Sequence, residues 1–216
     1  MPGSAAPSIL LVDDHAVVRR GLRELLNEEF PEAEFGEAAS GPEALAEIGR
    51  RPWNLVLLDL SIPGRDGLDV LKDALTLQPR IRVMIVSVHG EDQYAVRALR
   101  AGAVGYVTKE TAPEDLTAAV RKVLEGGKYV SPRLAERMVA LLVEDGTDRP
   151  LHEGLSDREL QVLRMLAVGT SVKEIGATLA LSEKTISTYR HRILGKMKLR
   201  SNAELMRYAL GVGLVE

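Results

Sequence analysis

Five short apolar runs, alternating with stretches of helical spacing, constrain this chain more than any other feature. The runs lie at 9–12, 33–38 (the weakest), 55–58, 82–88 and 104–107. Helical segments between them place apolar residues at i, i+3, i+4 and i+7: Val18, Leu22, Leu25 and Leu26 after the first run, and Val96, Leu99 and Ala103 after the fourth. After the fifth run, Leu116, Ala119, Val120, Val123 and Leu124 form one stripe, opened by a Thr111–Glu114 capping box and closed by Gly126-Gly127. Runs that are apolar throughout, rather than alternating, are strands buried on both faces, and strand–helix alternation builds a parallel sheet with helices on both sides. The first ~125 residues are therefore expected to form a doubly wound, five-stranded parallel α/β sheet.

Two of the runs end in acids. Leu55-Val56-Leu57-Leu58 closes on Asp59, followed by the turn-rich Ser61-Ile62-Pro63-Gly64-Arg65-Asp66-Gly67, and Ile9-Leu10-Leu11-Val12 closes on Asp13-Asp14. Parallel sheets collect ligands outside the C-terminal ends of their strands. Three carboxylates in one crevice repel one another unless a divalent cation sits among them. His15, beside the pair, is expected to open the first helix rather than to bind metal.

Cysteine is absent, which excludes disulfides, thiolate metal sites and a thiol nucleophile. No apolar stretch approaches the ~20 residues of a membrane span, and Met1 to Ser8 lacks the pattern of a signal peptide, so a loose tail (1–8) and a cytoplasmic protein are expected. The net charge of −3 hides an asymmetry: residues 1–146 carry 17 Lys and Arg against 23 Asp and Glu, whereas residues 147–216 carry 11 against 8. An acidic front and a basic back imply two domains with different partners, and nucleic acid is the natural partner for the back.

Ser131-Pro132 starts a helix with Leu134, Met138, Leu141 and Leu142 at helical spacing, and Glu144 to Gly154 is rich in turn formers. Residues 128–154 are thus a linker helix and a flexible linker. Beyond Leu155 the pattern is helical: Ser156…Glu159, Ser171…Glu174 and Ser201…Glu204 are capping boxes and Ser182 is a further N-cap, so helices begin near 157, 172, 183 and 202. The second and third are separated only by the region around Ala180-Leu181, the tight connection of a helix-turn-helix, and Gly176 implies close helix approach. Residues 155–216 form an all-α four-helix domain on this reading.

Taken together, Asp13-Asp14, Asp59 with Pro63-Gly64, Ser87, Tyr106 and Lys109, in that order on successive strand ends, make residues 9–127 resemble the receiver domain of bacterial two-component response regulators, a flavodoxin-like fold. Ile62 stands where many relatives carry Met, an apolar exchange of no consequence. The resemblance implies phosphoryl transfer from the phosphohistidine of a sensor histidine kinase to Asp59. It implies Mg2+ held directly by Asp14 and Asp59, through water by Asp13, and by the Ser61 carbonyl. Lys109 would pair with a phosphoryl oxygen and Ser87 would donate to the phosphoryl group, vacating space into which the Tyr106 ring rotates.

Residues 155–210 resemble the LuxR-type helix-turn-helix of the NarL/FixJ regulators, through Leu155-Ser156-x-Arg158-Glu159, Gly169-x-Ser171, Lys173-Glu174-Ile175, Leu179, Leu181-Ser182, Thr185-Ile186 and Lys196-Met197. Residues 182–200 hold six Lys or Arg against one Glu. The recognition helix, 183–197, is expected to bring Lys184, Ser187, Thr188 and His191 to base edges in promoter duplex DNA. Lys173, Arg190, Arg192, Lys196 and Lys198 are expected on phosphates, with the Thr170-Ser171 backbone holding another. Ser187 and Tyr189 depart from the Lys and His of many relatives, so no relative's base preference transfers. A last helix bearing Leu205, Tyr208, Ala209 and Val212 is the candidate surface for a homodimer formed on phosphorylation.

Two rivals are weighed against this reading. An aspartyl-phosphate phosphatase needs a second Asp two residues after the nucleophile as its general acid, and here that position is Ser61, so no enzyme is expected. The other is a phosphorylation-independent DNA-binding factor whose receiver serves only as a dimerisation scaffold. An RNA binder would need an array of stacking aromatics that the chain lacks.

Overall fold

A computed structural model of the chain describes residues 6–63, 65–88, 91–143, 150–179 and 181–215. It divides into two compact units, residues 1–143 and 144–216. The five strands of the first unit are β1 (Ser8–Val12), β2 (Glu34–Ala38), β3 (Leu55–Leu58), β4 (Val83–Ser87) and β5 (Gly105–Thr108). They form one parallel sheet in the order β2-β1-β3-β4-β5. The order reverses between β1 and β3, and the crevice outside their C-terminal ends is where such sheets bind ligands. Asp13 and Asp59 sit there.

Helices α1 (Ala16–Glu29), α2 (Gly41–Arg50), α3 (Gly67–Leu77), α4 (Glu91–Arg100) and α5 (Pro113–Leu124) follow the five strands in turn. On one face of the sheet, Ile9, Leu11, Leu57, Met84, Val86 and Val107 pack with Leu26 of α1 and with Leu116, Ala119, Val120 and Val123 of α5. Truncating one such fully buried leucine to alanine costs about 2–5 kcal/mol, so this layer holds the acidic edge rigidly. The first strand begins at Ser8, whose amide donates to Asn54 Oδ1, so Ser8 belongs to the sheet and not to the tail expected over residues 1–8; Met1–Ala5 lie outside the described residues.

Two sequence-based details change. The α5 capping box does not form: Pro113, with no N–H and a preset φ, opens the helix, Ala112 takes the cap position, and the Thr111 hydroxyl pairs with that of Thr108 at 3.2 Å. Among the described side chains of α4, Tyr94, Ala95 and Ala98 are buried while Val96 and Leu99 are only half-buried, because small alanines let this helix lie close to β5.

The helix expected in the linker, α6 (Pro132–Val143), starts as the Ser131-Pro132 pair implies, with Ser131 Oγ accepting from the Leu134 amide. Leu134 is fully buried and α6 packs against α4, so this helix belongs to the first unit. The remainder of the expected linker, 144–149, lies outside the described residues, and Leu151–Gly154 forms a 3-10 turn belonging to the second unit.

The second unit is all-α: α7 (Asp157–Ala167), α8 (Val172–Thr178), α9 (Glu183–Lys196) and α10 (Asn202–Gly211). Their starts match the four caps. Ser156 and Ser171 form full capping boxes; Ser201 accepts from Glu204 N, but Glu204 reaches back one residue further, to the Arg200 amide. Leu160, Leu163, Leu166, Ile175, Ile186, Ile193 and Leu205 make the core. A Cβ on Gly176 would stand 2.7 Å from the Leu181 carbonyl, the close approach its presence implied. Ala180 and Gly64 lie outside the described residues. No helix among the described residues is long and apolar enough to cross a membrane.

Candidate functional site

The acidic edge is built by three strand ends. β1 delivers Asp13 and β3 delivers Asp59, whose amide donates to the Val12 carbonyl at 2.8 Å; their side chains are 2% and 1% exposed. Lys109 follows β5, its own amide donating to the Ser87 carbonyl at 2.8 Å. From there its amine lies 2.5 Å from Asp13 Oδ2 and 2.8 Å from Asp59 Oδ2. Burial works against the lysine charge, but hydrogen bonds to Asp13 and Asp59, together with their charges, outweigh it and raise its pKa above the ordinary value. The other Asp59 oxygen accepts from the Ser61 amide at 3.1 Å. Gly67 lets α3 start against this loop: a Cβ there would stand 2.5 Å from Leu60 Cα and 2.9 Å from the Asp59 carbonyl.

Asp14 is partly exposed on the outer side of the crevice. His15 does open α1 as its N-cap residue, yet its ring makes no cap bond. It turns to the acids instead, with Nδ1 2.8 Å from Asp14 Oδ1 and 3.3 Å from Asp13 Oδ1. The ligand-bearing atoms brought within 4.8 Å of one another are thus those of Asp13, Asp14 and His15; Asp59 joins the group through Lys109. Arg19 on α1 donates to the Asp13 carbonyl at 2.7 Å and to Glu37 of β2 at 3.1 Å, fixing the end of β1. His15 and Arg19 were not singled out as site residues from the sequence, although their i, i+4 spacing sets both on one helix face.

The edge gathers three carboxylates, two of them on the Lys109 amine and Asp14 beside His15, and their oxygens are hard donors. That donor set and charge fit a divalent cation such as Mg2+. Ser87 ends β4 and Tyr106 lies in β5 beside Ile85; both are fully buried. The Tyr106 ring, expected to rotate into space vacated by Ser87, lies in the interior in this structure.

In the second unit α9 turns Ile186 and Ile193 inward and exposes Lys184, Ser187, Thr188, His191 and Arg192, with Lys198 just beyond. Lys173 on α8 is exposed as well. Three expected phosphate contacts are otherwise engaged. Lys196 donates at 2.6 Å to Glu159, a buried carboxylate that also accepts from the Ser156 amide at 2.7 Å. Burial alone would raise the Glu159 pKa, but these hydrogen bonds hold it below the carboxylate range. Arg190 donates to Asn202 Oδ1 at 2.7 Å. The Thr170 amide donates to the Met165 carbonyl and the Ser171 amide to Glu174 Oε2, so neither N–H is open to a phosphate, and the Glu174 carboxylate repels one. The Lys196–Glu159 partnership spans 37 residues and left no local signal in the sequence.

The expected pairing surface on α10 also changes. Leu205 and Ala209 are fully buried in the unit's own core, and the Tyr208 hydroxyl lies 2.8 Å from His152 Nδ1 in the 3-10 turn. Helical periodicity does not tell a core stripe from an interface stripe. Among the four residues Val212 alone stays exposed, beside Met206 and Leu210.

Comparison with known proteins places these two units. Residues 9–121 match the response regulator receiver domain, and residues 153–209 match the bacterial regulatory proteins of the luxR family. The chain is 33% identical over 207 residues to Response regulator UvrY of Escherichia coli K12, covering 96% of this chain and 95% of that protein. It is 36% identical over 208 residues to Response regulator GacA of Pseudomonas protegens, covering 96% and 97%. Among solved structures, RcsB from Salmonella enterica serovar Typhimurium, bound to promoter rprA in the presence of the phosphomimetic BeF3−, aligns with a TM-score of 0.64 at 25% identity, covering 94% of this chain and 98% of that one.

Proposed function

The chain belongs to the response regulators that join a receiver domain to a luxR-family DNA-binding module, and from that premise we propose Asp59 as its phosphoacceptor. The observation that carries this is the Lys109 amine held between Asp13 and Asp59 at the topological switch of the sheet. A sensor histidine kinase in the cytoplasm is the donor. An Asp59 carboxylate oxygen forms the new P–O bond as the P–N bond of the kinase phosphohistidine breaks, and the electron pair and a proton end on the departing imidazole.

Asp13, Asp14, Asp59 and the Ser61 carbonyl would hold a divalent cation, Mg2+ in the simplest case, which would supply neutralisation of the charge on the phosphoryl oxygens. Lys109 leaves Asp59 Oδ2 and pairs with one phosphoryl oxygen as a compact point charge, and the Ser87 hydroxyl donates to another. The Lys109 move breaks its contact with Asp59, so the end of β5, tied to β4 by the Lys109 amide on the Ser87 carbonyl, shifts with it. Through that shift the phosphoryl charge controls how α9 meets promoter duplex DNA, with paired modules reading two half-sites. Lys184, Ser187, Thr188 and His191 face the bases, and Lys173, Arg192 and Lys198 face phosphates.

The test is incubation with a small acyl-phosphate donor and Mg2+. A phosphoryl adduct absent in Asp59→Asn, together with a rise in DNA affinity or oligomer size, is expected. The full burial of Tyr106 in the resting state favours a second reading, a receiver already set for pairing. That reading expects DNA affinity and dimer content to be the same with and without the adduct.

A further inference from the structure

Asp13 and Asp14 stand on either side of one peptide unit, and that unit is gripped from outside the acidic edge. A peptide is planar, so whatever holds its carbonyl sets ψ of the residue before it and φ of the residue after it. The Asp13 carbonyl accepts from Arg19 Nη1 at 2.7 Å. Glu37 of β2 aims the guanidinium, its carboxylate accepting from Arg19 Nε at 3.1 Å, and the Arg19 side chain is only 14% exposed. The same strand holds Asp13 directly, the Ala38 carbonyl accepting from the Asp13 amide at 3.2 Å.

The two acids depend on this grip to different degrees. The Asp13 side chain is pinned at both oxygens, Oδ1 by the His15 amide at 2.8 Å and Oδ2 by the Lys109 amine at 2.5 Å. Asp14 meets the ring of His15, itself an exposed side chain. A rotation of the peptide between them would swing Asp14 away while Asp13 stayed in place. The bond from Arg19 opposes that rotation, and the guanidinium cannot follow it without leaving Glu37.

We propose that Arg19 is a positioning residue for phosphoryl transfer: oriented by Glu37, it holds the Asp13 carbonyl and so sets Asp13 and Asp14 to act together at the acidic edge. A guanidinium suits this task better than an ammonium, because its planar fork serves two acceptors in fixed directions at once. The groups that meet a hard divalent cation work well only when the groups behind them are fixed. The proposal rests on the reading of the acidic edge as the site of phosphoryl transfer.

The test uses the full chain and four variants: Arg19→Met, Arg19→Lys, Glu37→Gln and, as a control, Arg23→Met. Arg23 also touches Glu37, at 3.3 Å, but is more than half exposed and makes no bond to Asp13. Adduct formation from a small acyl-phosphate donor is timed over a series of Mg2+ concentrations, and calorimetry reads Mg2+ binding directly. Arg19→Met is expected to weaken Mg2+ binding about tenfold and to raise the half-saturating Mg2+ concentration by the same factor, with the maximal rate changed less than about twofold. Arg19→Lys is expected to show most of that loss, Glu37→Gln a smaller one and Arg23→Met none. Unchanged Mg2+ binding in Arg19→Met, an equal shift in Arg23→Met, or a fall in maximal rate without a shift in half-saturation overturns the role of Arg19 and leaves the phosphoacceptor reading intact. Should Arg19→Met fail to fold, Arg19→Lys compared with Arg23→Met decides by the same criteria. An unaltered protein that takes no adduct at any Mg2+ concentration overturns the phosphoacceptor reading and the Arg19 role with it.

Discussion

The amine of Lys109 lies 2.8 Å from Oδ2 of Asp59, a residue 50 positions earlier in the chain. The same amine reaches Asp13, so in the resting state one cation serves two buried carboxylates from different strands. On the proposed reading, that arrangement sets the charge partner of a phosphoryl group beside the atom that would receive it.

Replacing Lys109 with Met leaves Asp13 and Asp59 buried without their shared partner. We expect Lys109→Met to lose about 3–5 kcal/mol of stability in a divalent-free buffer, by the cost of uncompensated buried charge, and to recover part of it when Mg2+ is added. The raised lysine pKa sets the pH window: the contribution is fully present below the unfolded lysine value, about pH 10.4, and is lost as pH rises through the higher folded value. Chemical denaturation of both proteins at pH 7 and above pH 10 measures this, and a constant difference between them across that range contradicts it.

In the second unit, Glu159 contributes with the opposite sign. Its lowered pKa makes its contribution present above the ordinary carboxylate value, about pH 4.3, and lost as pH falls through the folded one. Glu159→Gln is expected to cost about 1–3 kcal/mol at pH 7 and much less at the acid end, because the buried bonds to Lys196 and the Ser156 amide lose their charge assistance. Melting the chain across this pH range, with the helical signal as readout, checks it.

Much of this was legible in the sequence, for physical reasons. All five strands and the four helix starts of the second unit are local facts: apolar run length, N-cap serines and the glycines that follow helices. The Asp13, Asp59 and Lys109 cluster was legible because a parallel sheet gathers its strand ends at one edge. What stayed hidden is pairing at long range or by direction. Nothing near Lys196 announces Glu159, nothing near Arg190 announces Asn202, and the α10 stripe could not say whether Leu205 and Ala209 faced a core or a partner. His15 was legible as a helix start, but not as a ring turned to the acids.

Two glycines of the DNA-binding unit are predicted to respond in opposite directions. Gly176→Ala puts a methyl 2.7 Å from the Leu181 carbonyl and is expected to destabilise the unit by about 1–3 kcal/mol. Gly195, inside α9, has nothing within 4 Å of an added Cβ, and Gly195→Ala is expected to stabilise by about 0.5–1 kcal/mol through helix propensity. Denaturant midpoints of both variants decide the matter; a shared sign contradicts the packing described.

Lys184 and Lys196 separate DNA contact from structure. Lys184→Ala is expected to weaken duplex binding and, where the lysine also neutralises a phosphate, to reduce the salt dependence of binding by about one ion, with folding stability unchanged. Lys196→Ala is expected to lower stability by removing the Glu159 partner and to leave the salt slope nearly as it was. Fluorescence anisotropy over a series of salt concentrations, paired with thermal melts, distinguishes them. A full unit of slope lost in Lys196→Ala would return that residue to the phosphate contacts.

The most direct measurement is the intact mass of the protein and of Asp59→Asn after exposure to a small acyl-phosphate donor with Mg2+, followed by titration of each onto duplex DNA selected from a random pool. A single phosphoryl adduct on the unaltered protein, none on the variant, and tighter DNA binding only where the adduct forms is the predicted result. An adduct that persists in Asp59→Asn, or DNA affinity indifferent to the adduct, contradicts the account.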